Sequence, residues 1–176
     1  MALTLNSNHI AAMQTHAERT YPDECCGLML GCLNTALNEK ELIELRPLKN
    51  AWSPGLSAEF AARSQTLSDL SKDRTQTSRY WIDPQDLLAV QREARQLGLD
   101  IIGVYHSHPD HLAVPSECDR ALAWPEYSYI IMSVQNGAAV DIQIWQLDAD
   151  HQFQPEPMKI APASAATDRM CVASSW

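Results

Sequence analysis

The sequence predicts an α/β domain in which helices pack on a mixed β-sheet. Three observations carry that reading. Residues 101–105 form an apolar, β-branched run with the composition of a central strand covered on both faces. Asn136-Gly137 is a hairpin turn between two further runs, residues 127–134 and 140–147, so those two pair antiparallel. Helical periodicity between Pro84 and Gly98 alternates with these strands along the chain, as it does where helices lie on a sheet.

The remaining elements follow in order. Residues 7–20 read as a helix with Ile10, Met13 and Ala17 on one face, closed by Tyr21-Pro22. Residues 26–32 are apolar with Gly27 and Gly31, which fits a buried strand. Residues 42–48 suit a second strand, and Pro47, which has no N–H to give a ladder, places it near an edge. Residues 51–79 then turn to Ser, Thr, Ala and charge, with weak periodicity. A segment that long without structure inside a compact domain reads as a mobile insertion, transiently helical around residues 58–70. Asp83 caps the next helix and Pro84 occupies its first position. Leu87, Leu88, Val90, Ala94 and Leu97 line it, and Gly98 ends it. Pro115-Ser116 opens a further helix that runs to about Trp124 and stops at Pro125. Residues 161–176 are small and polar and read as a loosely held tail, which leaves one domain over residues 1–160.

Charge and composition exclude several function classes. The chain has 176 residues, enough for one domain with a real core, and a formal net charge of −9. A nucleic-acid binder needs a basic face to neutralise phosphates, and an anionic membrane surface needs the same. No apolar run is long enough to span a bilayer, and the first ten residues lack the basic-then-apolar pattern of a secretory signal. The five cysteines, Cys25, Cys26, Cys32, Cys118 and Cys171, are odd in number and follow no framework spacing. That predicts reduced thiols and a cytoplasmic protein.

The chemistry concentrates in His106-Ser107-His108-Pro109 and the residues just after it. On a strand, positions i and i+2 point to the same side, so His106 and His108 can aim two imidazoles at one point. Asp119 sits one turn into the helix that Ser116 opens, and a helix start folded over the strand end would bring its carboxylate to them. Two His, one carboxylate and a fourth position for water make the ligand set of a catalytic zinc site. Ser116 and Asp119 also have the spacing of a helix-capping pair, and the two roles are compatible. Asp110 and His111 lie close by with the same donor chemistry, so spacing alone leaves the third ligand open.

In every fixed position, the run His106-Ser107-His108-Pro109, six residues, Ser116, two residues, Asp119 resembles the motif of JAMM (MPN-plus) zinc metallopeptidases, bacterial type. Glu24, in Pro22-Asp23-Glu24-Cys25-Cys26-Gly27, looks like that family's separate catalytic glutamate before a strand. The likeness extends from the first helix to about Phe153. It implies a cytidine-deaminase-like α/β fold, Zn²⁺ held by His106, His108 and Asp119, Glu24 as general base toward a zinc-bound water, and Ser116 as donor to the oxyanion. It also implies hydrolysis of an amide at the C-terminus of a ubiquitin-like sulfur-carrier protein, with the insertion gripping the substrate's tail, where Trp52, Leu56 and Phe60 are its large apolar residues. A zinc-retaining scaffold with little turnover is the alternative. Asp23 is a second candidate base, and a cysteine hydrolase using Cys25, Cys26 or Cys118 is a further possibility by chemistry alone. A thermolysin-type site is excluded by the absence of His-Glu-x-x-His, and a zinc deaminase by the absence of Cys-x-x-Cys.

Overall fold

The computed structural model describes residues 1–53, 55–56 and 75–162. The expected insertion is thus described only at its two roots, and the expected tail beyond residue 162 lies outside the described residues, as does Phe60.

The described strands join in one mixed sheet whose strands, from edge to edge, are residues 153–155, 138–147, 128–135, 100–109, 26–34, 39–48, 2–6 and 158–161. Strand β1 (Ala2–Asn6) buries Leu3 and Leu5 and was not anticipated. Helix α1 (Ser7–Thr20) has its expected bounds. Asn6 caps it by accepting from the His9 N–H, and its buried face is Met13 and Ala17. Strand β2 (Cys26–Asn34) runs antiparallel to both β3 (Glu39–Leu48) and β4 (Asp100–Pro109). The expectation that Pro47 marks an edge needs correcting, because β3 is an inner strand. However, β1 pairs only with Glu39, Lys40 and Glu41 of it, so Pro47 lies where β3 has one neighbour and its missing N–H breaks no ladder.

Helix α2 (Pro84–Gln96) starts as predicted, with the Asp83 side chain accepting from the Gln85 N–H. Beyond it the chain turns at Gly98, whose φ of 68° favours glycine. Strand β4 is longer than predicted and runs through the whole His106–Pro109 motif. Helix α3 (Glu117–Leu122) is shorter than predicted, ending before Trp124. Strand β5 (Ser128–Gln135) lies parallel to β4 and turns at Asn136-Gly137, both at positive φ, into β6 (Ala138–Leu147). The short strands β7 (Phe153–Pro155) and β8 (Met158–Ala161) add to the two edges.

Alternation along β2 divides the core between the two faces. Met29 packs with Leu3, Leu5, Met13 and Met132 on the α1 face, while Leu28 and Leu30 pack with Val90 and Ala94 of α2 on the other. Burying a leucine-sized side chain contributes roughly 1.5–3 kcal/mol, so both helices are held mainly by these stripes. Near the site β2 and β4 approach closely. A Cβ at Gly27 would run into the ring of Tyr105, the residue before His106. Cys25, Cys26 and Cys118 are buried thiols outside any disulfide, as expected. Cys32 is disulfide-bonded, which corrects the reading of all five cysteines as reduced. No helix among the described residues is long and apolar enough to cross a membrane.

Candidate metal centre

The site forms where the C-terminal end of β4 meets the start of α3. His106 and His108 belong to the strand and point to one side, and both are buried, at 0% and 8% exposure. Their Nε2 atoms are 3.1 Å apart. Asp119 Oδ1 stands 3.5 Å from His106 Nε2, and Oδ2 stands 3.6 Å from His108 Nε2. Among the described residues, these three are the His, Cys, Asp and Glu side chains whose donor atoms converge as a metal site requires.

The helix start delivers the carboxylate. Ser116 Oγ accepts from the Asp119 N–H at 3.2 Å, and Asp119 Oδ2 accepts from the Ser116 N–H at 2.6 Å, a reciprocal capping box. Capping and ligation are therefore compatible, since the box uses one carboxylate oxygen and holds the other toward His106. The neighbouring acids and imidazoles have other tasks. Asp110, exposed and at φ 53°, accepts from Tyr21 Oη and from the Asn136 N–H, both at 2.9 Å. It ties the loop after β4 to the loop after α1 and to the hairpin. The His111 side chain is exposed, and its carbonyl accepts from Ser133 Oγ.

The donor set fits a metal of zinc's character. His108 Nδ1 donates to the Leu112 carbonyl at 2.9 Å, which leaves the lone pair on Nε2, facing His106 and Asp119. His106 Nδ1 is buried with no hydrogen-bond partner among the described residues. That ring is oriented instead by Tyr80, stacked on it with centroids 4.5 Å apart and planes at 28°. Two zinc–nitrogen bonds of about 2.0–2.1 Å at a tetrahedral angle put nitrogens roughly 3.3 Å apart, close to the observed spacing. Electrostatics agree. Burial pushes His106 down to about 3, against the pull of Asp119, so its imidazole is neutral and ready to ligate. Burial works against the charge of Asp119, but the two imidazoles and a hydrogen bond from the Ser116 side chain outweigh it and hold the carboxyl well below the usual range. Burial also opposes protonation of His108, yet Asp119, Glu24 and the Leu112 carbonyl together raise it.

Glu24, two residues before β2, lies near enough to His108 for its charge to act on that ring. Cys26 pairs with His106 in the β2–β4 ladder, and continuing that antiparallel register sets residue 24 opposite His108. Ser107, between the two histidines, secures the approach. Its N–H donates to the Cys25 carbonyl at 3.2 Å, and its Oγ accepts from the Cys25 N–H at 2.9 Å. Glu24 itself is 5% exposed. A cavity of about 500 Å³ opens beside Asp119, lined among others by Tyr80, Trp81, Leu87, Trp124 and Tyr129. Sequence reasoning missed Ser107, Tyr80 and the Leu112 carbonyl as parts of the site. Ser107 lay inside the motif, but its partner depends on strand register. Tyr80 and Leu112 carry no local signal.

Residues 6–148 match the family described as prokaryotic homologs of the JAB domain. A desampylase from Haloferax volcanii is 42% identical over 55 residues, which are 31% of this chain and 40% of that protein. A CysO-cysteine peptidase from Mycobacterium tuberculosis is 25% identical over 159 residues, 90% of each chain. The solution structure of a Salinibacter ruber protein superposes with a TM-score of 0.64 at 28% identity, covering 97% of this chain and 98% of that one. One from Desulfitobacterium hafniense gives 0.67 at 22% identity, covering 95% and 99%, and bears on the fold alone. With its site formed at the end of β4 and the family match running from the start of α1 to just past β6, the chain belongs to the prokaryotic JAB-domain family.

Proposed function

We propose that this protein is a zinc-dependent peptidase of JAMM type that hydrolyses an amide or isopeptide bond at the C-terminus of a ubiquitin-like sulfur-carrier protein. The observation that carries the reading is the convergence of His106, His108 and Asp119 on one point, and the charge of Glu24 acting on His108 supports it. Relatives named for the removal of a conjugate and for cysteine release from a carrier support the substrate class.

His106, His108 and Asp119 would hold zinc, which would supply Lewis acidity toward water and the scissile carbonyl. The chain's own residues handle position and protons. Glu24 takes the proton of the attacking water on its carboxylate and passes it to the leaving amine nitrogen. Ser116 Oγ accepts from the Asp119 N–H, and its hydroxyl hydrogen, shared with the Asp119 carboxylate in the resting protein, is the donor to the developing oxyanion. The apolar walls of Tyr80, Trp124 and Tyr129 limit water around the reacting amide.

A carrier protein ending in Gly-Gly, joined by an amide to cysteine and separately to lysine, is the test substrate. Zinc-loaded protein should cleave at the carrier's terminal glycine, and Glu24→Gln protein with full zinc should not. Zinc retained without turnover of either amide would leave the scaffold reading in its place.

A further inference from the structure

Glu24 lies two residues before β2 begins, so sheet pairing does not hold its own backbone. A buried amide does. Asn50, 7% exposed, donates from Nδ2 to the Glu24 carbonyl at 3.0 Å and to the Arg79 carbonyl at 2.9 Å. Its Oδ1 accepts from the Trp52 N–H at 2.9 Å and the Trp81 N–H at 3.2 Å. Gln76 completes the knot. Its Nε2 donates to the carbonyls of Asn50 and Trp52 at 2.9 and 3.1 Å, and its own carbonyl accepts from the Glu24 N–H at 2.7 Å. Both backbone polar groups of Glu24 are thus engaged by the two roots of the 51–79 segment. The same amide fixes Arg79 and Trp81, which together with Tyr80 and Ile82 form a wall of the cavity beside Asp119.

We propose that Asn50 is a positioning residue for hydrolysis, binding the main chain of Glu24 to the cavity wall at residues 79–82 so that the general base and the substrate's wall keep one fixed geometry. The inference rests on the reading of Glu24 as proton carrier. The chemistry singles out asparagine. Two carbonyls need N–H donors while two N–H groups need an acceptor, and one carboxamide supplies both. A carboxylate at this place would turn an oxygen toward the Glu24 and Arg79 carbonyls, and alanine would leave all four groups unpaired.

Asn50→Asp and Asn50→Ala, zinc-loaded, test the idea with two readouts. Turnover of the carrier amide should fall about 10²-fold in kcat, as for a catalytic group displaced by a fraction of its reach, with KM and zinc content near wild type. Hydrogen exchange at the Glu24 amide should quicken at least about tenfold while β5 amides keep their rates, which separates loss of the knot from general loosening. Val140→Thr, an exposed substitution remote from the site, serves as control and should change neither readout. Should neither Asn50 variant fold, Gln76→Met removes two bonds of the same knot and should move both readouts in the same direction, by less. Wild-type exchange at Glu24 together with wild-type kcat overturns the inference, and so does a fall in kcat with that exchange unchanged. If wild-type protein cleaves no carrier amide, the functional reading fails separately, and unaltered exchange at Glu24 in the variants would overturn the knot as well.

Discussion

At one end of β5 the sheet buries Lys40, Ser128 and Glu156; at the other it buries His106 and His108 under Asp119. Both clusters hold ionisable groups out of water, where each costs free energy unless compensated. In the first, Lys40 Nζ donates to Ser128 Oγ at 2.9 Å, and the charge of Glu156 lies close enough to offset part of the burial that lowers the Lys40 pKa. Opposite charges act on each other there through space. In the second, three donor atoms are turned toward a common point, and a cavity opens beside them. Burial of polar groups is therefore not the mark of a site. Convergence of like donors, together with access, is.

The sharpest way to break this comparison is to remove a ligand from one end and a charge from the other. His108→Ala and Asp119→Ala should lose zinc. Removal of an outer-shell partner alone costs 10–100-fold in affinity, so loss of a ligand should exceed about 100-fold. Lys40→Met should keep one zinc per chain. Metal analysis after gel filtration reads both, and full occupancy in the His108 and Asp119 variants would dissolve the distinction between the two clusters.

Within the metal end, Glu24→Gln separates chemistry from ligation. Size and hydrogen bonding are kept while the proton acceptor is lost. Zinc content should hold, and kcat should drop by about 10²–10⁴-fold, the range for loss of a general base. Normal turnover with an inactive Asp23→Asn protein would move the role to the neighbouring acid.

The other end should respond in stability instead. Lys40→Met leaves Glu156 buried without its counter-charge and Ser128 without its donor, and should cost about 1–3 kcal/mol, part of which adding Glu156→Gln should recover. Glu156 also carries a pH signature. Burial raises its pKa above the ordinary glutamate value, while Ser128, Lys40 and the N-terminal amine pull it down. The folded state thus holds this proton more tightly than the unfolded chain. The associated stability is complete below the ordinary glutamate pKa and is lost as pH rises through the folded value. Glu156→Gln abolishes the dependence, so it should gain on wild type in urea unfolding between about pH 4 and pH 7. The titrating metal ligands are common to both proteins and cancel in the difference. An unchanged difference across that range would show that Glu156 is not perturbed.

How much of this was legible in the sequence differs between the two ends. His106, His108 and Asp119 are near neighbours in the chain, so strand alternation and a helix cap suffice to bring them together. The motif's likeness to a metallopeptidase family singled out Glu24 and Ser116 as well. Cys25, the residue after Glu24, is 82 residues from Ser107 in the chain, and only the β2–β4 register brings the two together. Lys40, Ser128 and Glu156 share no local pattern and meet because the sheet folds strands distant in sequence toward one another. Among the elements, α1, α2 and the β5–β6 hairpin follow from caps and periodicity. β1 had a visible alternation at Leu3 and Leu5 that went unread, whereas β8 exists only because β1 offers it an edge, about 155 residues earlier in the chain.

The smallest expected effect concerns the thiols that border the metal end. Cys25 and Cys26 adjoin Glu24, and Cys118 lines the cavity beside Asp119, so all three are placed where a nucleophile could act. Their environment argues otherwise. Burial pushes Cys25 up to about 12, with Glu24 adding to the rise and a hydrogen bond with Ser107 opposing it. Burial pushes Cys26 higher still, and its neighbours Cys25, Glu24 and Asp86 act in the same direction. The thiolate is the reactive form, so at neutral pH neither residue supplies a nucleophile or reacts readily with an alkylating agent. Cys118 is 7% exposed, and its replacement by alanine removes little volume. Iodoacetamide at pH 7 should leave turnover of the carrier amide within about twofold, as should Cys118→Ala, while a zinc chelator abolishes it. Loss of turnover on alkylation, with zinc content and fold intact, would move the chemistry from the histidine end of β4 to a cysteine.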